Sequence, residues 1–249
     1  MNTVIIGSWQ DNIEQIESES IDLIIIDPPY LTTKEKWDKE EVVNSDLSQQ
    51  LFRIAKPSCS LYVWCGIGEK SQSLIRWFPI FSEHWHFKDL ITWKKQRGIG
   101  MRKGWLYTRE ELMWFVKDNK KFVWNKEHQY SKVKREKSTY GYILPNGKKA
   151  DDYIKSEYKR FQNVWDDISE TTFNTGGIKN LIGKHFTPKP ERAIERIIQL
   201  HTKEGDTVFD CFAGSGTTGV VAKRMNRQYV LIEKEPEYLE LIAERLANV

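Results

Sequence analysis

Thr207-Val208-Phe209-Asp210-Cys211-Phe212-Ala213-Gly214-Ser215-Gly216-Thr217-Thr218-Gly219 is the stretch that decides the fold. Thr207 to Asp210 is a short apolar run suited to a strand. The glycines that follow have the GxGxxG spacing and open a helix predicted over Thr217 to Asn226. The next predicted strand, Gln228 to Glu233, ends on an acid 19 residues after Gly214. Glycines let the backbone turn tightly and approach a ligand, and a helix N-terminus offers unpaired N–H groups. A carboxylate at the next strand's end can accept both hydroxyls of a ribose. Together these features imply an adenosine-containing cofactor. The turn alone does not separate a nicotinamide cofactor from S-adenosylmethionine, since both present a ribose to the same acid. Its place near the C-terminus requires the rest of the sheet to come from earlier in the chain.

Working outward, Pro190 to His201 reads as an amphipathic helix with proline at its start, and Pro236 to Ala247 as the last helix. Upstream, strands are predicted at Thr3 to Ile6, Ile21 to Ile26, Ser60 to Trp64, Phe87 to Trp93 and Glu111 to Val116. Helices are predicted at Asn12 to Ile16, Ser45 to Ala55 and Glu69 to Trp77. The unbroken run Leu23-Ile24-Ile25-Ile26 suits a strand covered on both faces. Alternating strands and helices indicate an α/β fold with a mostly parallel sheet. From about Asn119 to Gly183 periodicity is lost and turn chemistry such as Leu144-Pro145-Asn146-Gly147 collects, so a loop-rich insertion is expected.

The composition excludes several classes. No apolar run approaches the roughly 20 residues of a membrane span, and Met1 to Trp9 lacks the features of a secretory signal, so a cytoplasmic location is expected. Cys59, Cys65 and Cys211 form no CxxC pair and the five histidines no ligand spacing, so no metal is expected. The charge is unevenly spread. Lys94 to Lys137 holds 14 Lys and Arg against 5 acids, a local charge of +9 that leaves −6 for the rest of the chain. Interleaved with Trp93, Trp105, Tyr107, Trp114, Phe122, Trp124 and Tyr130, this segment offers both charges for phosphates and flat faces for bases. Without further context, a solvated face over buried aromatics explains it as well.

Asp27-Pro28-Pro29-Tyr30 follows the apolar strand directly, at the end where open α/β sheets bind their ligands. Two prolines fix φ and remove two N–H donors, leaving a stiff turn of carbonyl acceptors beside one carboxylate and one ring. The exocyclic amine of adenine or cytosine is a poor nucleophile because its lone pair is delocalised into the ring. Two acceptors on its N–H bonds, the Asp27 carboxylate and the Pro28 carbonyl, would pull it toward tetrahedral geometry while Tyr30 stacks on the base.

With these residues in hand, the sequence resembles the S-adenosylmethionine-dependent DNA amino-methyltransferases of the beta group. In that group the DPPY motif comes first, a recognition segment follows and the cofactor turn comes last. Asp27 to Tyr30 matches the catalytic motif, and Trp37-Asp38-Lys39 resembles a short motif found after it. His185-Phe186-Thr187-Pro188-Lys189-Pro190 is similar to HPTQKP, and Asp210 to Gly219 to DPFxGSGTTG. Cys211 and Phe186 stand where proline is usual, and Ser8 beside Trp9 stands where an acid commonly contacts the cofactor.

The resemblance implies a Rossmann-like methyltransferase fold of circularly permuted motif order. Residues 1–93 would form the catalytic half, 94–183 a basic target-recognition segment containing further strands, and 184–249 the cofactor half. It assigns catalysis to Asp27, Pro28, Pro29 and Tyr30. It assigns S-adenosylmethionine to Ser8, Trp9, Asp27, Lys189, Asp210, Phe212, Gly214, Ser215, Gly216, Thr217, Thr218 and Glu233, with Lys189 as a partner for the cofactor's carboxylate. DNA, duplex or single-stranded, would meet Lys94, Arg97, Arg102, Lys103 and Arg109. A homodimer, a companion methyltransferase or a restriction endonuclease are the partners it allows. Aspartate at position 27 points to adenine N6, since the family's cytosine-N4 members usually carry serine there. Cytosine N4, RNA, or a non-catalytic member of a methyltransferase pair are the alternatives.

Overall fold

Leu23, Ile24, Ile25 and Ile26 are each at most 1% exposed, as an unbroken apolar run in a strand requires when helices cover both of its faces. The structure, a computed structural model, describes residues 2–99, 103–134, 145–147, 157–170 and 188–249. Its elements run β1 (Asn2–Ile6), α1 (Trp9–Asn12), β2 (Ile21–Ile26), α2 (Ser45–Ile54), β3 (Ala55–Cys65), α3 (Ser73–Ser82), β4 (His86–Ile99) and β5 (Tyr107–Val116). They continue with β6 (Tyr130–Lys134), β7 (Tyr158–Arg160), β8 (Val164–Trp165), α4 (Glu191–His201), β9 (Thr207–Asp210), α5 (Thr217–Arg224), β10 (Gln228–Glu233) and α6 (Pro236–Ala247).

Eight of the described strands form one sheet in the order β1-β10-β9-β2-β3-β5-β4-β8, and β6 pairs with β7 in a separate ribbon. All neighbours in the large sheet are parallel except those of β5, which runs antiparallel to both β3 and β4. Alternate residues feed two cores. Ile24, Ile26, Leu61, Val63 and Phe209 meet α1, α2 and α3 on one face, whereas Leu23, Ile25, Trp64, Val208 and Leu231 meet α4, α5 and α6 on the other. This is the Rossmann-like three-layer arrangement.

The permuted chain order leaves the central geometry intact. β2 leads through α2 to β3 on one side, and β9 leads through α5 to β10 on the other. Strands β2 and β9 are neighbours, with Ile24 opposite Phe209. Their carboxyl ends, carrying Asp27 and Phe212, therefore flank the crevice where the winding reverses.

Several boundaries differ from the sequence expectation. β3 begins at Ala55 rather than Ser60, because Pro57 falls where the β2–β3 register shifts and needs no ladder donor. α3 spans Ser73–Ser82 rather than Glu69 to Trp77. Gln72 at φ +49° delays its start, while fully buried Trp77 and Phe81 carry it across Pro79. The expected division at 93/94 cuts through β4, and that at 183/184 lies outside the described residues, as do His185, Phe186 and Thr187.

The insertion is tied down at both ends. At its entry, Asn125 donates its backbone N–H to the Leu200 carbonyl and its side-chain amide to the Gln199 and Thr202 carbonyls, each at 2.8 Å. Buried His201 adds a bond from Nδ1 to the Val123 carbonyl at 2.8 Å and contacts the Tyr62 hydroxyl through Nε2 at 2.7 Å. At the exit, β8 pairs with β4, Trp93 donates to the Ile168 carbonyl, and Arg196 grips Asp167 at 2.6 Å.

Burial pushes the His201 imidazole down to about 4, so it is neutral in the fold and accepts from Tyr62. The unfolded chain binds that proton near pH 6.5, so stability falls as pH drops from there toward about 4. The expected loss is of the order of 3 kcal/mol. Chemical denaturation across this window should show a steeper dependence in the native chain than in His201→Gln.

Candidate active site

A cavity of about 480 Å³ opens at the carboxyl ends of β2 and β9. Ser8, Trp9, Asp27, Pro29, Lys189, Asp210, Phe212, Gly214, Ser215, Thr217, Thr218 and Glu233 all line it, so residues from both ends of the chain converge. Pro28, Tyr30 and Gly216 are outside the lining. Gly216 instead caps α5 at φ +75°, where a Cβ would come within 2.9 Å of Ile242. Tyr30 packs edge-on against Trp77 and donates its hydroxyl to Asp27 Oδ1 at 3.0 Å.

On the β9–β10 side, two carboxylates face inward. Glu233 accepts the Gly214 and Glu235 N–H groups, one on each oxygen, at 2.6 and 2.9 Å. One lone pair of each oxygen stays free of these two bonds, a pattern that fits a vicinal diol. Asp210 accepts the Phe212 N–H at 3.0 Å and the Thr218 hydroxyl at 2.7 Å. Burial raises the Glu233 carboxyl above its usual range and pushes Asp210 up to about 7. Such groups favour a cationic or hydroxyl-bearing ligand, and Trp9 and Phe212 supply apolar walls. Ser8 reaches the lining, but its hydroxyl caps α1, donating to Asp11 at 2.5 Å and accepting the Asp11 N–H.

On the β2 side, Lys189 defines the site. Its Nζ lies 2.7 Å from Asp27 Oδ2 and 3.2 Å from Glu110 Oε2, and 5.3 and 5.2 Å from the ring centres of Tyr30 and Trp64. Glu110 also pairs with Lys95. Desolvation raises the Asp27 carboxyl against the opposing pull of Lys189, whereas the Glu110 carboxyl is held below its usual range by Lys189 and Lys95 against desolvation. The Lys189 ammonium is raised above its usual value by the two carboxylates. In this structure Lys189 thus grips the catalytic carboxylate of the sequence reading. Glu110, Lys95 and Trp64 were missed by that reading. The only sequence signal for Glu110 was its standing as one of five acids in the basic stretch from Lys94 to Lys137.

Asp38 explains the motif after DPPY. Buried, it accepts the N–H groups of Leu31, Thr32 and Thr33 at 2.6, 2.7 and 2.5 Å, fixing the loop that leaves Tyr30. The basic segment is less uniform than its composition. Lys94, Lys103 and Arg109 are exposed, Arg109 while paired to Glu111 at 3.1 Å; Arg102 and the side chain of Arg97 lie outside the described residues. Most of its aromatics serve the interior: Trp93 is buried, and Trp114 stacks between Tyr62 and Trp124. Tyr107 and Tyr130 are exposed, and Trp105 almost completely so.

Residues 21–244 match the DNA methylase family of N6 and N4 enzymes. The chain is 31% identical over 241 residues to Type II methyltransferase M1.MboII of Moraxella bovis, covering 92% of this chain and 90% of that one. It is 27% identical to DNA adenine methyltransferase YhdJ of Escherichia coli (strain K12), covering 98% and 82%. Among solved structures, the cytosine-N4-specific PvuII DNA methyltransferase superposes with a TM-score of 0.73 at 21% identity, covering 98% and 86%. An M1.HpyAVI–SAM complex gives 0.62 at 21%, covering 99% and 100%.

Replacing Lys189 with Met removes the cation facing two carboxylates. Asp27 then becomes harder to ionise, and the acid limb of the rate–pH profile should move to higher pH, with turnover at neutral pH reduced about 10²-fold. Equilibrium dialysis should show cofactor binding weakening as pH falls below about 7, where Asp210 takes up a proton, and Asp210→Asn should flatten that dependence.

Proposed function

The chain belongs to the DNA methylase family, and from that premise we propose that it methylates the N6 amine of adenine in DNA, using S-adenosylmethionine. One observation carries the reading: Asp27 and Glu233, from opposite halves of the sequence, face a single cavity whose size suits a nucleoside cofactor beside a base. The cofactor, when bound, supplies an electrophilic methyl group on its sulfonium. Glu233 would hold the ribose hydroxyls, Phe212 and Trp9 the flat base, and Asp210 with the turn from Gly214 to Thr218 the charged amino-acid end.

Asp27 and the Pro28 carbonyl accept the two N–H bonds of the target amine, drawing its lone pair out of the ring. Lys189 keeps the Asp27 carboxylate ionised and oriented, and its contact with Glu110 fixes its own position. A carboxylate whose basicity is raised by burial is the better acceptor for the proton that the amine sheds on methylation. Catalysis in this scheme is positioning and hydrogen bonding, with no covalent enzyme intermediate. Aspartate at position 27 favours adenine over cytosine, and residues 94–183 are assigned to target recognition, with Lys94, Lys103 and Arg109 toward phosphates or bases.

Genomic DNA from a methylation-deficient host expressing the protein, digested to nucleosides and analysed by mass spectrometry, tests this directly. N6-methyladenine should appear and vanish in Asp27→Ala. N4-methylcytosine in its place overturns the base assignment, and no methylated base despite cofactor binding overturns the catalytic reading.

A further inference from the structure

We propose that the tip of the β4–β5 hairpin, Trp105 with Leu106, is a wedge that enters duplex DNA and holds the target base out of the stack. The proposal rests on the DNA reading above and adds the element that would open the substrate.

Trp105 is 93% exposed and Leu106 63%, while every other tryptophan of the chain is buried or half-buried. A large apolar pair in open solvent is not explained by the fold, which gains nothing from it. Trp105 and Leu106 directly precede β5, and its pairing with β4 fixes where they stand. Ile99 pairs with Tyr107, and Leu106 sits over Gly98, where a Cβ would lie 3.0 Å from that of Leu106. The Tyr107 ring rests on Gly68, where a Cβ would come within 3.2 Å.

Direction follows from register. β5 is antiparallel to β3 with Glu111 opposite Cys65, the last residue of β3, so residues 107–110 run on past the carboxyl edge of the sheet. That is the edge carrying Asp27, and Glu110 shares Lys189 with it. Trp105 stands five positions before Glu110, at most about 17 Å away at strand rise, comparable to the ~12 Å width of a major groove. A base leaving its stack for the Asp27 cavity would therefore leave its gap within reach of the tip.

The occupant is indicated by charge. Lys94, Lys103 and Arg109 are exposed around the arms of the hairpin, cations suited to the phosphates on either side of an opened step. Apolar side chains inserted between base steps unstack them, and extrusion of a paired base costs a few kcal/mol that a filled gap offsets. A cationic collar around an apolar point matches a duplex being opened.

The test compares Trp105→Ala with the native chain on two duplexes carrying the site that long-read sequencing of methylated DNA assigns. In one the target base is correctly paired, and in the other it faces a mismatch, which is already cheaper to extrude. The variant should lose about tenfold or more in kcat/KM on the paired duplex and no more than about threefold on the mismatched one. With 2-aminopurine at the target position, the native chain should raise fluorescence and the variant should not. Equal losses on both duplexes, or none on either, would overturn the wedge. So would loss of self-association without change in methylation, which would make the tip a contact between copies. Thermal melts should coincide, since Trp105 packs against little. Methylation of single strands alone also overturns it. A native chain that methylates no DNA is a different result, since it removes the DNA reading before the variants are compared.

Discussion

One ammonium group holds the two halves of the active site together. Lys189 enters from the segment before α4 and lies between Asp27 on the end of β2 and Glu110 on β5, under the rings of Tyr30 and Trp64. Two carboxylates in so desolvated a place would repel and one would protonate. The cation prevents this, and Lys95 balances the second carboxylate, so the group of four is neutral. A buried arrangement of this kind is weak evidence for stability, because desolvation offsets much of its Coulomb energy. Its value is geometric: it sets the orientation of the Asp27 carboxylate that faces the cavity.

Around that point, the sheet is indifferent to chain order. A strand end contributes the same chemistry whether it comes from residue 27 or residue 210, provided β2 and β9 remain neighbours. The reversal of winding between them makes the crevice, and the parallel pairing sends both turns to the same edge. The permutation therefore relocates the chain breaks without relocating the cavity.

The parts of this arrangement visible in the sequence are those with local causes. The glycine turn, the DPPY turn and the apolar run of β2 each have a backbone or burial requirement written into adjacent residues, and Ser8, Asp27, Asp210 and Glu233 accordingly reach one cavity. Long-range pairings left no comparable trace. Nothing near Glu110 marks it as a partner of Lys189, 79 residues away. The packing of the basic, aromatic segment was hidden for a similar reason: β4 and β5 contribute to both cores, Met113 and Phe115 to one and Trp93 and Leu112 to the other, and only the pairing of the strands decides which face each residue meets. The expected bounds of β3 and α3 fell short likewise, since a register shift takes Pro57 into the strand and a pair of buried aromatics carries α3 past Pro79.

The anchoring of the insertion has an engineering meaning. Asn125 and His201 clamp the chain where it departs, and Arg196 with the Trp93–Ile168 bond clamps it where it returns. Asn125 and the clamping residues of α4 and β4 all lie outside the stretch from Lys126 to Asn163. Chain of another length or sequence, spliced between Lys126 and Asn163, would meet the same two posts. The scaffold is thus a socket, in which the stretch between the posts can be exchanged while the sheet and its cavity stay as they are.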